Sequence, residues 1–182
     1  MDHGGGSTPG TQRDEFAVDA SIAFVCDASG SMMEKMEALK KELSKTVEAL
    51  HPFQKFSITF FQNDKPTVID KDLILAKPEN KRKAEAFIAD VSTNGSTDPI
   101  PGLDIAFHQR PQLVYLLTDG DFPNNDAVVQ EIHKLDPDRR VKVNTIAFTD
   151  SSDHDMDYIK LLQQLAKDSG GTFRHVNEEA LK

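Results

Sequence analysis

Ala20-Ser21-Ile22-Ala23-Phe24-Val25-Cys26-Asp27-Ala28-Ser29-Gly30-Ser31-Met32 decides how the rest of the chain is read. Its first half, Ala20 to Cys26, is an apolar run without a strong charge. The residues after Met32 have helical periodicity, so Asp27, Ser29 and Ser31 fall at a strand-to-helix turn. Alternate positions in an extended turn can face one way. A carboxylate with two hydroxyls is then a hard, oxygen-only ligand set suited to Mg²⁺ or Mn²⁺ rather than zinc. Asp and Ser also favour helix starts, and a simple N-cap cluster is the competing reading of this stretch alone.

Working outward, the strand reading extends over about Val18 to Cys26, apolar almost throughout, as a strand covered on both faces would be. Met32, Met36, Leu39, Leu43, Val47 and Leu50 recur at steps of three and four. They lay one apolar stripe along a helix with Glu and Lys on its other side, and Pro52 ends it. Lys55 to Phe61 reads as a second strand and Thr67 to Ile69 as a short antiparallel one at the sheet edge. A helix opens at Pro78 and carries Ala84, Phe87, Ile88 and Val91. Loop signals cluster from Ser92 to Asp98, Thr97 among them, and a short helix runs through Leu103, Ala106 and Phe107 until Pro111.

Leu113 to Thr118 is another buried-type strand, and Asp119-Gly120 comes at its carboxyl end, as Asp27 does at the end of the first. A helix over Asn125 to Leu135, a strand over Val143 to Phe148, a helix over Asp155 to Ser169 and a strand over Thr172 to Val176 complete the pattern, with Gly170-Gly171 as the last helix stop. This alternation predicts a doubly wound α/β fold. Its central sheet is mostly parallel with one short antiparallel edge strand and helices on both faces, and ligands bind beyond the carboxyl ends of strands near the switch in strand order.

Composition narrows the function. The 182 residues suit one domain, expected over residues 15–182 behind a Gly-rich disordered tail or linker over residues 1–14. A net charge of −9 and 28% charged residues exclude a nucleic-acid partner, which needs clustered Lys and Arg. No run is long enough for direct membrane insertion. Cys26 is the single cysteine, which excludes an intrachain disulfide and a cysteine-based zinc site, and at the end of an apolar strand it reads as core. The acidic residues Asp150, Asp153, Asp155 and Asp157 read as helix N-terminal charge. Tyr158 and Gln164 stand where an EF-hand loop starting at Asp153 would need Gly and Glu.

Asp27-x-Ser29-x-Ser31, Thr97 in a Gly-Ser-Thr-Asp loop, and Thr118-Asp119-Gly120 after a buried strand together resemble the von Willebrand factor A (vWA) domain and its metal-ion-dependent adhesion site. The resemblance spans about Phe16 to Val176. It implies that Ser29, Ser31 and Thr97 supply hydroxyls to a Mg²⁺ or Mn²⁺ while Asp27 and Asp119 act directly or through water. It also implies that the ion captures an Asp or Glu carboxylate from a partner protein, with Asp98 and Asp121 as candidate outer acceptors. Phe24-Val25-Cys26 ahead of the motif and Gly170-Gly171 before the final strand look like the bacterial members, some carried on membrane-anchored chains with a Gly-rich linker; compartment is otherwise open. Asn177 to Lys182 are too few for the long C-terminal switch helix of integrin-type members.

Two other functions compete with adhesion. A haloacid-dehalogenase-type phosphatase needs an aspartate two positions after Asp27, where Ser29 stands, so no enzyme activity is expected. An adaptor subunit of an AAA+ machine differs from adhesion only in its partner.

Overall fold

The computed structural model describes residues 20–63, 65–120, 122–149 and 156–177. The tail expected over residues 1–14, Asp121 and, of the acidic stretch, Asp150, Asp153 and Asp155 lie outside the described residues. Among the described residues, seven strands and five α-helices follow in the order β1 Ser21–Asp27, α1 Met36–Glu48, β2 Lys55–Phe61, β3 Thr67–Val68, β4 Ile74–Leu75, α2 Pro78–Asp90, α3 Ile100–His108, β5 Leu113–Thr118, α4 Asn125–Leu135, β6 Lys142–Thr149, α5 Met156–Ser169 and β7 Phe173–Asn177. The sheet order is β3-β2-β1-β5-β6-β7, with β4 also on β2. All neighbours are parallel except β3 and β4.

This is the α/β sheet expected from the pattern. The antiparallel edge foreseen at Thr67–Ile69 is made in two pieces along one side of β2. Thr67 and Val68 pair with Phe60 and Thr59, and Ile74 and Leu75 pair with Phe56 and Lys55. Residues 70–73 interrupt the line. Such a broken edge offers little template to another strand.

Side chains alternate across β1, which explains why it had to be apolar on both faces. Ile22, Phe24 and Cys26 pack with Met36, Leu39 and Leu43 of α1 and Ala84 and Ile88 of α2. Ala23 and Val25 pack with Leu103 and Ala106 of α3, in a cluster that also takes in Val128 of α4 and Leu162 of α5. Removing a fully buried leucine such as Leu39 from a core of this kind costs about 2–5 kcal/mol. Cys26 is fully buried and burial pushes its thiol well up, so it is core and not a nucleophile.

The chain leaves β1 toward β2 on one side and returns as β5 on the other. The switch in strand order therefore lies between β1 and β5, the register running Cys26 beside Leu117 at their carboxyl ends. A crevice at this point is where a doubly wound sheet presents ligands.

Candidate metal centre

Asp27 ends β1 and is fully buried. Its Oδ1 accepts the Ser29 amide at 2.9 Å, and its Oδ2 accepts the Thr118 hydroxyl at 2.7 Å. Both oxygens are thereby fixed, one by its own turn and one across the strand order switch. Ser29 has extended backbone, φ −67° and ψ 167°, which sends the chain away from the strand. Its Oγ lies 3.0 Å from Ser31 Oγ. The helix expected from Met32 begins only at Met36, because Gly30–Met32 first form a 3-10 turn that carries Ser31, with Ser29 at its N-cap.

The loop bearing Thr97 is tied to this turn through the backbone. Gly30 N donates to Gly95 O at 3.1 Å, and Asn94 N donates to Ala28 O at 2.9 Å. Thr97 is buried two residues beyond that tie. Asp98, a candidate outer acceptor, accepts from Ile100 N at 3.0 Å in an Asx turn just ahead of α3.

Asp119 follows β5 directly. Its backbone is turned by Gly120 at φ +78°, where a Cβ would lie 2.1 Å from Tyr158 Cδ2. Only glycine satisfies both the left-handed conformation and that close approach. Gly120 N donates to Thr118 Oγ1 at 2.9 Å, so one hydroxyl holds both the turn and Asp27. Sequence reasoning places Thr118 beside the motif without a role. Its signal is a hydroxyl at the last position of an otherwise apolar strand.

Electrostatics complete the picture. Burial and then the neighbouring Asp119 carboxylate push Asp27 up to about 7, against hydrogen bonds from Ser29 and Thr118 that pull it down. Two carboxylates thus face one another out of water and are short of positive charge. Asp119 Oδ1 is buried and accepts no hydrogen bond from a described residue. Such an orphaned acceptor is costly unless a cation or water meets it. Asp119 Oδ2 lies 3.7 Å from Lys35 Nζ, both side chains being buried.

Lys35 is not singled out by sequence reasoning, which assigns lysines to the outer side of α1. It stands four residues before Leu39, on the apolar stripe itself, and that position is the available signal.

Asp27, Ser29, Ser31 and Asp119 are therefore gathered by direct contact or mutual charge, and Thr97 by its loop. Among the described residues there is no group of three or more His, Cys, Asp or Glu side chains able to hold a metal. Any cation here is met by two carboxylates and hydroxyls, a hard and weakly charged set that suits Mg²⁺ or Mn²⁺ better than zinc.

The profile of the von Willebrand factor type A domain matches residues 20–175. Inter-alpha-trypsin inhibitor heavy chain H3 of Bos taurus is 31% identical over 118 residues, which cover 57% of this chain and 13% of that protein. The von Willebrand factor A domain-containing protein 3B of Homo sapiens is 26% identical over 160 residues, 86% of this chain and 12% of that protein. The chain thus spans 12–13% of the length of these curated relatives. Among solved structures, von Willebrand factor type A from Catenulispora acidiphila superposes with a TM-score of 0.74 at 19% identity, covering 89% of this chain and 39% of that one. The SpRpn10 VWA domain superposes with a TM-score of 0.63 at 10% identity, covering 87% and 88%. At these identities the structural likeness concerns the fold.

Proposed function

Because this chain belongs to the von Willebrand factor type A domain family, its matched span running from the first strand into the last, we propose that it is a metal-ion-dependent protein-binding module. Asp27, Ser29, Ser31, Thr97 and Asp119 hold one Mg²⁺ or Mn²⁺. The observation that carries this reading is the orphaned, buried Asp119 Oδ1 beside an Asp27 raised by burial and then by the Asp119 carboxylate. Two acidic groups in that state want a cation.

The ion, when bound, supplies an electrophilic point for a hard anionic oxygen. The chain's own residues do the rest. Asp27 is kept in place by Ser29 N and Thr118 Oγ1, the Ser29 and Ser31 hydroxyls face one another, and three neutral hydroxyls neutralise nothing. A partner protein's Asp or Glu carboxylate is the natural complement. Met33, 71% exposed two residues after Ser31, adds an apolar contact at the rim. Ca²⁺ supports binding less well, since it favours more ligands in a looser geometry. Ser29 occupies the position where a phosphatase of the haloacid-dehalogenase type needs a second aspartate, so the reading is binding without turnover.

Thermal denaturation tests it. A ligand present at 100 times its Kd adds about 2.7 kcal/mol, which for a domain of this size raises Tm by about 5–10 °C. Mg²⁺ or Mn²⁺ should produce that shift, EDTA should reverse it, and Thr97→Ala should reduce it without lowering the metal-free Tm by more than a few degrees. An unchanged shift in both Thr97→Ala and Asp119→Ala would remove the metal from this site.

A further inference from the structure

Asn94-Gly95 is the single Asn-Gly pair of the sequence, and it stands in the loop that carries Thr97. We propose that Asn94 is a self-modification site, its amide giving way to the Gly95 nitrogen, and that the isoaspartyl product lengthens the loop and draws Thr97 away from the other ligands, so that cation binding decays with the age of the protein. The second half of this proposal rests on the metal-binding reading above; the first half does not.

The fold requires the glycine that makes this asparagine labile. Gly95 has φ +72°, and a Cβ there would lie 1.8 Å from Asn63 Oδ1, so position 95 admits no side chain that could shield the amide nitrogen. Asn94 and Gly95 are both exposed. Among the described residues, neither the Asn94 side chain nor the Gly95 amide makes a hydrogen bond. The nucleophile and the carbon it attacks are both free. Asp119-Gly120, the other acid or amide followed by glycine, is the contrast. Gly120 N is held by Thr118 Oγ1 at 2.9 Å and Asp119 is buried, which keeps that pair from the same reaction.

The chemistry balances with water as the only co-reactant. The Gly95 nitrogen gives up its proton and bonds to Asn94 Cγ, the Cγ–Nδ2 bond breaks, and ammonia leaves a cyclic imide behind. Water then opens the imide at one of its two carbonyls. Cleavage between Cγ and the Gly95 nitrogen gives aspartate on the native backbone. Cleavage between the Asn94 carbonyl carbon and that nitrogen gives isoaspartate, whose backbone runs through Cβ and Cγ. This second route inserts one carbon–carbon bond, about 1.5 Å, between two fixed points. Asn94 N donates to Ala28 O at 2.9 Å, and Gly95 O accepts from Gly30 N at 3.1 Å. A hydrogen bond stretched that far is lost. Both ties run to the turn bearing Asp27, Ser29 and Ser31, and Thr97 is buried two residues beyond Gly95, so the loop ligand moves relative to the rest.

Ageing the full chain at mildly alkaline pH, read by peptide mass spectrometry and by methylation with protein isoaspartyl methyltransferase, tests the first half. Asn94 should convert ahead of every other asparagine, and Asn94→Gln should form no isoaspartate at that position. A folded chain that keeps Asn94 intact while the urea-unfolded chain loses it would overturn the proposal. Isothermal titration with Mg²⁺ then compares fresh wild type, Asn94→Asp and the chromatographically separated isoaspartyl form. The isoaspartyl form should bind at least about tenfold more weakly than fresh protein, the scale of one lost hydrogen-bonded ligand. Asn94→Asp, which has the native backbone, should keep its affinity, and methyltransferase repair of the aged form should restore it. Equal Mg²⁺ binding by the isoaspartyl form would overturn the age-dependent loss and leave the metal site standing. Fresh wild type that binds no Mg²⁺ would overturn the metal reading and that loss together, and the mass measurement would still decide the modification.

Discussion

Asp27→Asn should raise the melting temperature of the metal-free protein at pH 8 and erase its response to Mg²⁺. Asp27 is fully buried, and burial together with Asp119 lifts it from the ordinary carboxylate value of 3.8 to about 7. A pKa raised on folding means that the folded state resists ionisation there. The resulting penalty is absent below about pH 4, grows as pH rises through about 7, and at most reaches the order of 4 kcal/mol. Asparagine carries no such penalty. It still presents one oxygen to Ser29 N, but it exchanges a charged acceptor of the Thr118 hydroxyl for a weaker contact, which offsets part of the gain.

A net gain of about 2 kcal/mol corresponds to a Tm increase of about 4–8 °C in a domain of this size. Wild type in EDTA should therefore lose stability between pH 4 and pH 8 by more than Asp27→Asn does, and Mg²⁺ should recover that loss in wild type only. The measurement is a set of melting curves across that pH range with and without metal. An Asn variant that melts lower than wild type in EDTA at pH 8, or still responds to Mg²⁺, would contradict the account. On the proposed metal-binding reading, this instability is what the bound cation relieves.

How much of the molecule is readable without the structure depends on the size of each signal. The strands β1 and β5 are legible because burial on both faces demands an unbroken apolar run, and Ile22 to Cys26 and Leu113 to Leu117 supply one. The carboxyl ends of those strands come with them, and so does the placement of Asp27 and Asp119. Ile74–Leu75 is not legible as a strand. Two residues have no periodicity, and only pairing with Phe56 and Lys55 makes them β structure. Apolar spacing starts α1 at Met32 because it does not distinguish a 3-10 turn from the first turn of an α-helix. Lys35 escapes notice for a related reason: a charged residue is assigned to solvent by type, while its long stem allows it to lie along a core stripe. The role of Thr118 and the unpartnered Asp119 Oδ1 are facts of three-dimensional proximity that no spacing encodes.

The largest loss of stability is expected from Gly171→Ala. A Cβ at this position would lie 2.1 Å from the Val143 carbonyl oxygen and 2.6 Å from its carbon. Those are backbone atoms of β6 and cannot rotate aside. The chain is held there from both directions, Gly171 N donating to Ala166 O at 2.8 Å and Thr172 N to Asn144 Oδ1 at 2.8 Å. Relief requires β7 to move off β6, with loss of the pairs from Thr145 beside Phe173 to Thr149 beside Asn177. The cost should exceed about 4 kcal/mol, in the range reserved for core disruption. Gly170→Ala is the control. Gly170 has φ +76° but nothing within 4 Å of the added atom, so only the conformational penalty of about 1–2 kcal/mol applies. Chemical denaturation of both variants decides the matter: equal midpoints would show that the strand pair yields more easily than the 2.1 Å approach implies.

The order of the strands also governs how the chain emerges during synthesis. Asp27 and Thr118, joined by a hydrogen bond, are 91 residues apart. At about 5–20 residues per second, roughly 5–18 s separate the appearance of β1 from that of the neighbour that completes it. In that interval β2 is available on one side, and the backbone of Ile22–Cys26 is open on the other, with apolar side chains on both faces. The strand around which the sheet is built is thus the nascent chain's most adhesive segment until Leu113–Thr118 arrives, and long-range parallel pairing of this kind forms slowly.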